Sequence, residues 1–398
     1  MHVAILNAGE EPDYLYGLVS GLAAQDGIRI DVVDADQCVG LFDRFPVVRF
    51  NNLRGNQRPS DPLPRKAFRI AGYYLRLLWF ALQSPAKIFH IEWDNSILLF
   101  DRAVLPLIYH ACRKRIVFTA HNVYREERDG RGSSLREWSL RRQYAVVDRI
   151  IVHTDAMKRE ICGRFGADAA RVHVIPHGLN VRVAVRGFTR QDSRRRLGIP
   201  DGARVVLFFG FIDRYKGIDL LIESLERLAK DDTDLFLLIA GRPKRQDEFQ
   251  QTWQERLAAS GLRSKSDLRF IPPDEVETYM AASDCLALPY RAIYQSGLLF
   301  LAYRFGLPVV ATDAGSFRED IPDGEMGFVA HGQSPEAFAE ALRRFFASDL
   351  FGDRDEARRT IRKRAEERYG WDAIARRTME VYSLALGSGT AQPGRGHR

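Results

Sequence analysis

Cysteine is scarce in this chain of 398 residues. The four cysteines, at positions 38, 112, 162 and 285, form no CxxC pair and show no spacing typical of metal ligands. A disulfide or zinc framework is therefore not predicted, and a reducing compartment fits the composition.

Long apolar runs are also missing, since no stretch reaches the roughly 18 uninterrupted apolar residues of a membrane-spanning helix. The first residues, MHVAILNAGEE, have a strand pattern instead of the basic, apolar and cleavage regions of a signal peptide. We therefore expect a cytoplasmic protein, with any membrane contact made from the inner face of the cell membrane.

One segment could make such a contact. Within Arg65 to Gln83 (RKAFRIAGYYLRLLWFALQ), three arginines at offsets 0, 4 and 11 share one helical face, and most of the other residues are bulky and apolar. The pattern fits either a domain helix with a solvated arginine edge or a helix lying on an anionic membrane surface.

The formal net charge is +7, which would suit an anionic lipid, a nucleic acid or a nucleotide substrate. Arginine is spread along the whole chain, however, and no RNP motif, zinc finger or Lys/Arg tract is present. No nucleic acid partner is predicted.

The first half alternates strand-like and helical patterns, which predicts a parallel sheet. Ser134 and Glu137 have the spacing of a capping box at the start of one of these helices. The predicted strands are Val3 to Leu6, Ile28 to Val33, Lys87 to Ile91, Arg115 to Thr119, Arg149 to His153 and Val172 to Ile175.

The alternation lapses over Val181 to Asp201 and then resumes, which predicts an interdomain linker there. The predicted strands of the second half are Val205 to Phe209, Leu235 to Ala240, Leu268 to Ile271, Cys285 to Leu288, Pro308 to Thr312 and Gly327 to Val329. We predict a first domain over 1–185, a second over 186–365, a terminal helix over 366–386 that returns to the first domain, and a disordered tail over 387–398.

Two segments of the second half carry the clearest chemical signal. FFGFIDRYKGIDLLIESL (Phe208 to Leu225) and PYRAIYQSGLLFLAYRFGLPVVATDAGSFRED (Pro289 to Asp320) each run from an apolar strand through a glycine-bearing turn into a helix. Turns and helix N-termini of this kind present backbone N–H groups to anions. Two of them in one domain predict a diphosphate held between them.

These segments resemble the nucleotide-binding domain of the family 4, or group 1, glycosyltransferases. The resemblance implies an α/β protein of the GT-B fold, in which two Rossmann-like, doubly wound domains face each other across a cleft. It further implies transfer of a hexosyl unit from a UDP- or GDP-sugar to a saccharide or lipid-linked saccharide, with no cofactor or metal. Such reactions serve exopolysaccharide, lipopolysaccharide or glycolipid synthesis.

In that family a basic pair after the first strand neutralises the nucleotide diphosphate, and Arg214 and Lys216 match it. Phe211 stands where the family usually has an arginine. Fixed cations at this point would stabilise the charge that develops on a departing diphosphate.

The second segment departs further from the family. Two glutamates normally stand eight positions apart around the helix start, and Ile293 and Leu301 occupy their places. A catalytically silent nucleotide-sugar binder and a sugar-nucleotide epimerase therefore remain alternatives. The donor contacts that the resemblance implies are Gln295, Ser296, Gly297, Leu298 and Glu319.

The first domain is expected to hold the acceptor and any acid or base. The candidates all follow predicted strands: Gly9 for close approach to the donor, and His121, Glu92, Asp94 and Asp13 for proton transfer or sugar orientation. Gly9 is equally good turn chemistry, and Glu92 and Asp94 could instead be helix caps. Arg125, Glu126 and Glu127 are further candidates for contact with either substrate.

The stereochemical outcome stays open. Retaining enzymes of this family use positioning and electrostatics, with the leaving phosphate helping to deprotonate the acceptor. An inverting enzyme would need a carboxylate or histidine base. The resemblance favours retention.

Overall fold

A computed structural model describes residues 1–56, 62–95, 97–124, 133–230, 232–244 and 247–387. The chain divides into two compact units, one formed by Met1–Gly178 with the segment from Gly370 onward, the other by Leu179–Tyr369. Arg125 to Glu127 and nearly all of the predicted tail lie outside the described residues.

The first unit is built on a seven-stranded parallel sheet of order β3-β2-β1-β4-β5-β6-β7. Strand order reverses between β1 and β4, so the loops after these two strands lie at the switch point where open α/β sheets bind ligands. The strands are β1 His2–Leu6, β2 Arg29–Ala35, β3 Val48–Gly55, β4 Ile88–Ile91, β5 Arg115–Thr119, β6 Arg149–Val152 and β7 Val172–Val174. The helices are α1 Pro12–Ala23, α2 Leu63–Gln83, α3 Leu98–Ala103, α4 Leu105–Ala111, α5 Ser134–Val146 and α6 Asp155–Phe165.

The second unit has a six-stranded parallel sheet of order β10-β9-β8-β11-β12-β13, which reverses between β8 and β11. Its strands are β8 Arg204–Phe209, β9 Leu235–Ala240, β10 Arg263–Asp267, β11 Cys285–Leu288, β12 Val309–Ala311 and β13 Gly327–Val329. Its helices are α7 Arg190–Leu197, α8 Ile218–Leu228, α9 Glu248–Ala259, α10 Val276–Ala282, α11 Gly297–Arg304, α12 Phe317–Asp320, α13 Pro335–Phe346, α14 Asp349–Gly352 and α15 Arg354–Tyr369. The central strands read as unbroken apolar runs because both of their faces are buried.

Two edge strands differ from the prediction. Strand β3 was not predicted, and β10 precedes the apolar Leu268 to Ile271 segment that was expected to form it. Edge strands are half solvated, so β10 is polar and its sequence carries no strong strand signal. The start of α5 also differs, because Ser133, and not Ser134, is the N-cap and accepts from the backbone N–H of Arg136.

The domain boundaries differ by a few residues from those predicted. The first unit ends at Gly178, and the predicted linker contains α7, which belongs to the second unit. The last helix, α16 Trp371–Ala385, begins after a break at Gly370 and belongs to the first unit.

Trp371 anchors α16 in the first unit. A Cβ atom placed on Gly17, Gly21 or Gly178 would lie 2.1, 2.5 or 2.2 Å from the nearest atom of Trp371. Distances this short leave no room for a side chain at these three positions. Trp371 can pack against the first unit only because all three residues are glycines.

Candidate functional sites

The turn after β8 and the start of α11 converge in the second unit. Gly210 directly follows β8 and has φ +90°, and a Cβ atom there would lie 3.1 Å from Leu298 Cδ1 and 3.5 Å from Lys216 Nζ. Gly217 has φ +67° and leads from the 3₁₀ turn Arg214–Lys216 into α8. The two segments that predicted a diphosphate cradle thus meet at the switch point of the sheet.

Lys216 is the most unusual charge in this cradle. Its side chain is buried, with 7% of the residue exposed, and its Nζ lies 5.5 Å from the ring centroid of Tyr290. Burial is the main influence on its pKa and lowers it, opposed by Tyr215 and Asp213. In the part of the chain that the structure describes, no carboxylate forms an ion pair with Lys216, so its ammonium group lacks a counterion that a phosphate would supply.

Other cations lie around the same turn. Arg214 is exposed, and its guanidinium lies 5.1 Å from the ring centroid of Phe249. Arg242 was missed from the sequence; its guanidinium lies 5.1 Å from the ring of Phe211, the residue that replaces the family's arginine. The sequence signal for Arg242 was its position directly after Gly241, which follows β9 as Gly210 follows β8.

The start of α11 has uncommitted hydrogen-bonding capacity. Ser296 is the N-cap residue, but its side chain makes no capping hydrogen bond. The Gln295 amide donates to Asp320 Oδ2 at 3.1 Å, while its buried Oε1 has no partner among the described residues. Gly297 is exposed and has open space around it.

Ile293 and Leu301, which stand where the family has its two glutamates, have different surroundings. Leu301 is part of the hydrophobic core, and Ile293 packs against that core. Glu319 lies half-buried in the short helix α12, where its carbonyl oxygen accepts from Arg368. Leu301 has no group that could bind a ribose.

The first unit contains a cavity of about 320 Å³ at its own switch point. Glu92, Asp94 and His121 line it, whereas Asp13 does not. Glu10, which was not predicted, lines it as an exposed residue of the loop between β1 and α1. The sequence signal that could have identified Glu10 was its position next to Gly9. Gly9 has φ +80°, and its carbonyl oxygen accepts a hydrogen bond from Gln37 at 2.7 Å.

Glu92 and His121 are joined in a buried hydrogen-bond chain. His153 Nδ1 lies 3.0 Å from the carbonyl oxygen of Ile175, which can only accept, so Nδ1 carries the proton. Burial lowers the pKa of His153 well below its ordinary value, so its Nε2 accepts from His121 Nδ1 at 3.0 Å. One proton is then shared between His121 Nε2 and Glu92 Oε2, which are 2.9 Å apart.

The second oxygen of Glu92 is also occupied. Oε1 lies 3.0 Å from His90 Nε2 and accepts from Thr119 at 3.3 Å. Burial raises the pKa of Glu92, but His90 and His121 outweigh this effect and lower the pKa below its ordinary value. Glu92 is therefore a carboxylate, and both of its oxygens are engaged.

Aromatic rings enclose His121. Trp93 stacks on its ring with centroids 4.7 Å apart and planes 6° apart, and Tyr14 meets it edge-on at 4.6 Å. One face of Trp93 is thus covered by the imidazole. These contacts hold His121 in one orientation at the cavity wall.

Asp94 accepts hydrogen bonds through both of its carboxylate oxygens. Arg102 Nε donates to its Oδ2 at 2.8 Å, and Gln143 donates to its Oδ1 at 2.6 Å. Asp13 lies in the first turn of α1, next to Tyr14. The geometry favours a positioning role for Asp94.

Solved structures with the same arrangement of sheets are GT-B glycosyltransferases. Sucrose-phosphate synthase from Thermosynechococcus elongatus superposes with a TM-score of 0.74 at 17% identity, covering 98% of this chain and 100% of that one. HepE from Anabaena, in complex with UDP and glucose, gives 0.70 at 18% identity, covering 96% and 100%. This likeness confirms the predicted GT-B fold class of two parallel-sheet α/β domains.

Family models then cover most of both units. The glycosyltransferase family 4 model matches residues 13–183, and the glycosyl transferases group 1 model matches 189–368. A D-inositol 3-phosphate glycosyltransferase of Corynebacterium urealyticum is 30% identical over 269 residues, which is 66% of this chain and 62% of that protein. The chain belongs to the family 4 glycosyltransferases, as the sequence predicted.

Proposed function

We propose that the protein transfers a hexosyl unit from a nucleoside diphosphate sugar to a saccharide or lipid-linked saccharide acceptor. The observation that carries this proposal is Lys216, a buried ammonium group that has no counterion among the described residues and lies beside two glycine turns and a helix N-terminus. Those features suit a diphosphate that gains negative charge as the glycosidic bond breaks. Arg242 would supply the charge that Phe211 removes.

The donor base is proposed as uracil or guanine, with UDP-sugars tested first because HepE was solved with UDP and glucose. Position 301 is a leucine and not the glutamate of the family pattern, so the site would hold the ribose in a different way. The candidate acceptor for a ribose hydroxyl is Oε1 of Gln295, which has no partner among the described residues. No cofactor or metal is proposed.

Retention of anomeric configuration is favoured by the cavity of the first unit. Both oxygens of Glu92 and of Asp94 are engaged, and both nitrogens of His121 make hydrogen bonds. None of these three is available to take a proton from an acceptor, as an inverting reaction requires. The leaving phosphate would take it instead.

The direct test is turnover with a panel of UDP- and GDP-sugars, first alone and then with acceptors that include D-inositol 3-phosphate, the substrate in the name of the Corynebacterium relative. We expect slow nucleotide release from one donor and faster release with a true acceptor. NMR of the product gives the sugar and its anomeric configuration. Tight binding without turnover would instead support a nucleotide-sugar sensor, and a new sugar nucleotide without release would support an epimerase.

We further propose that α2 lies on an anionic membrane surface. No helix among the described residues is both long and apolar enough to span a bilayer. At about 100° per residue, four exposed side chains of α2 share one face, Phe68, Leu75, Trp79 and Leu82. Arg65, Arg69 and Arg76 form a row beside this face, an arrangement that suits a helix embedded among acidic headgroups.

In a flotation assay, the protein should rise with vesicles containing phosphatidylglycerol and less with phosphatidylcholine alone. Replacing the three arginines by Gln should weaken partition by about 3 kcal/mol, at about 1 kcal/mol for each charge near the surface. Phe68→Ser with Trp79→Ser should also lower it, whereas Phe270→Ser, at an exposed aromatic of the second unit, should not. A wild-type protein that stays with the bulk solution would refute the contact.

A further inference from the structure

The second unit contains a charged cavity at the opposite edge of its sheet from the diphosphate cradle. It has a volume of about 900 Å³, and its wall includes Arg190 of α7 and several residues of α15. Asp284, just before β11, marks the amino ends of the strands, whereas the cradle lies at their carboxyl ends. Strand β8 alone separates these edges by about 17 Å, at about 3.3 Å per residue.

Positive charge exceeds negative charge around this cavity. Asp284 is fully buried and is approached by three guanidinium groups: Arg194 at 2.9 Å, Arg354 at 2.9 Å and Arg190 at 3.3 Å. One carboxylate cannot neutralise three guanidinium groups. The wall itself has five arginines, Arg190, Arg354, Arg358, Arg359 and Arg362, against three acidic residues, Glu277, Asp353 and Asp355.

Two of these charges are already committed. Arg359 pairs with Glu356. Glu277 accepts from three successive backbone N–H groups, those of Arg186, Gly187 and Phe188. Among the described residues, Glu277 forms no ion pair with an arginine.

Two of the remaining arginines, Arg190 and Arg362, are incompletely satisfied. The buried Nε of Arg190 has no hydrogen-bond partner among the described residues. Within the described part of the chain, Arg362 makes one long contact of 3.4 Å, with the carbonyl oxygen of Phe305. Burial lowers the pKa of Arg358 to about 10, and Arg362 and Arg190 act in the same direction against Asp284.

We propose that this cavity binds a phosphate-bearing small molecule, with Arg190, Arg354 and Arg362 as its anion contacts. Planar guanidinium groups bind phosphate oxygens in pairs, which suits a dianion. The volume exceeds that of a phosphate alone, and Val185, Phe188 and Phe305 supply apolar wall for an organic part. Such a ligand would bind independently of the sugar nucleotide.

Calorimetry with inorganic pyrophosphate as the probe tests the site, with chloride at equal ionic strength as the reference. Pyrophosphate can also enter the cradle, so Lys216→Ala is titrated in parallel. We expect binding to persist in Lys216→Ala and to weaken at least about tenfold in Arg190→Gln/Arg362→Gln, since each lost contact is charge-assisted. Arg362→Gln alone changes an exposed side chain and should show a smaller loss in the same direction.

Arg364→Gln is the matched control, because it removes the same charge from α15 but at a residue paired with Glu325. Its affinity for pyrophosphate should equal that of the wild type. The proposal is overturned if the wild type shows no binding beyond the chloride reference, if Lys216→Ala abolishes all binding, or if Arg190→Gln/Arg362→Gln binds normally. If Lys216→Ala loses nucleotide binding but keeps pyrophosphate binding, the result concerns the cradle and leaves this proposal standing.

Discussion

Replacing Lys216 with Met should weaken binding of the donor's nucleoside diphosphate by about 1.5 to 3 kcal/mol, the range for a lost hydrogen bond to a charged group. Methionine keeps the length and apolar stem of the side chain but has no charge. The buried ammonium group already bears the cost of desolvation in the free protein, so a phosphate gains the full attraction of a preorganised cation. Turnover should fall further than binding, because the diphosphate is most negative in the transition state.

Calorimetry with UDP and with GDP measures the binding effect. Lys265→Met is the matched control, since this lysine of β10 in the same unit donates to the carbonyl oxygen of Leu197 and takes no part in the cradle. Arg242→Gln should give a smaller loss than Lys216→Met, because Arg242 is exposed and its field is screened. Unchanged affinity for both nucleotides in Lys216→Met would remove the basis for the donor site.

The segments proposed to form the cradle have a local signal in the sequence. Gly210, Lys216 and Gly217 lie within eight residues of one another, and each stands at a point where an apolar strand becomes a helix. The strand boundaries of the central sheet were predicted within one or two residues for the same reason, since doubly buried strands are apolar throughout. The edge strands β3 and β10 lack that pattern.

The network of the first unit could not be predicted in the same way. His90, Glu92, His121 and His153 come from three strands or their ends, and only strand order brings them together. The sequence identified Glu92 and His121 as separate candidates but contained nothing to show that they share a proton. Arg242 was missed for a related reason, since its place beside Phe211 depends on the pairing of β8 with β9.

The second large effect is expected at the Glu92–His121 pair. Glu92→Gln preserves shape but removes the negative charge that faces His121 Nε2 at 2.9 Å, so this hydrogen bond should weaken and His121 should be held less firmly in its orientation. We expect turnover to fall by about 10², the cost of a displaced positioning group, with nucleotide affinity unchanged because the cradle belongs to the other unit. His121→Asn should lose a similar factor, since Asn cannot replace both ring nitrogens and the stacking on Trp93.

Because the pair is buried, each variant needs a thermal unfolding curve beside its kinetics. A folded Glu92→Gln protein with low turnover and normal nucleotide affinity would support a role in the reaction. Full activity in that variant would show that the pair only holds the fold.

Glu10→Gln separates the two stereochemical mechanisms. Glu10 is the carboxylate of the cavity wall that is exposed, so it is the candidate base if the reaction inverts. Under the favoured retaining mechanism the leaving phosphate takes the proton, and Glu10→Gln should lower turnover by less than about tenfold, well below the 10² to 10⁴ of a general base. A loss as large as that of Glu92→Gln, together with an inverted anomeric signal in the product NMR, would assign the base to Glu10 and reject retention.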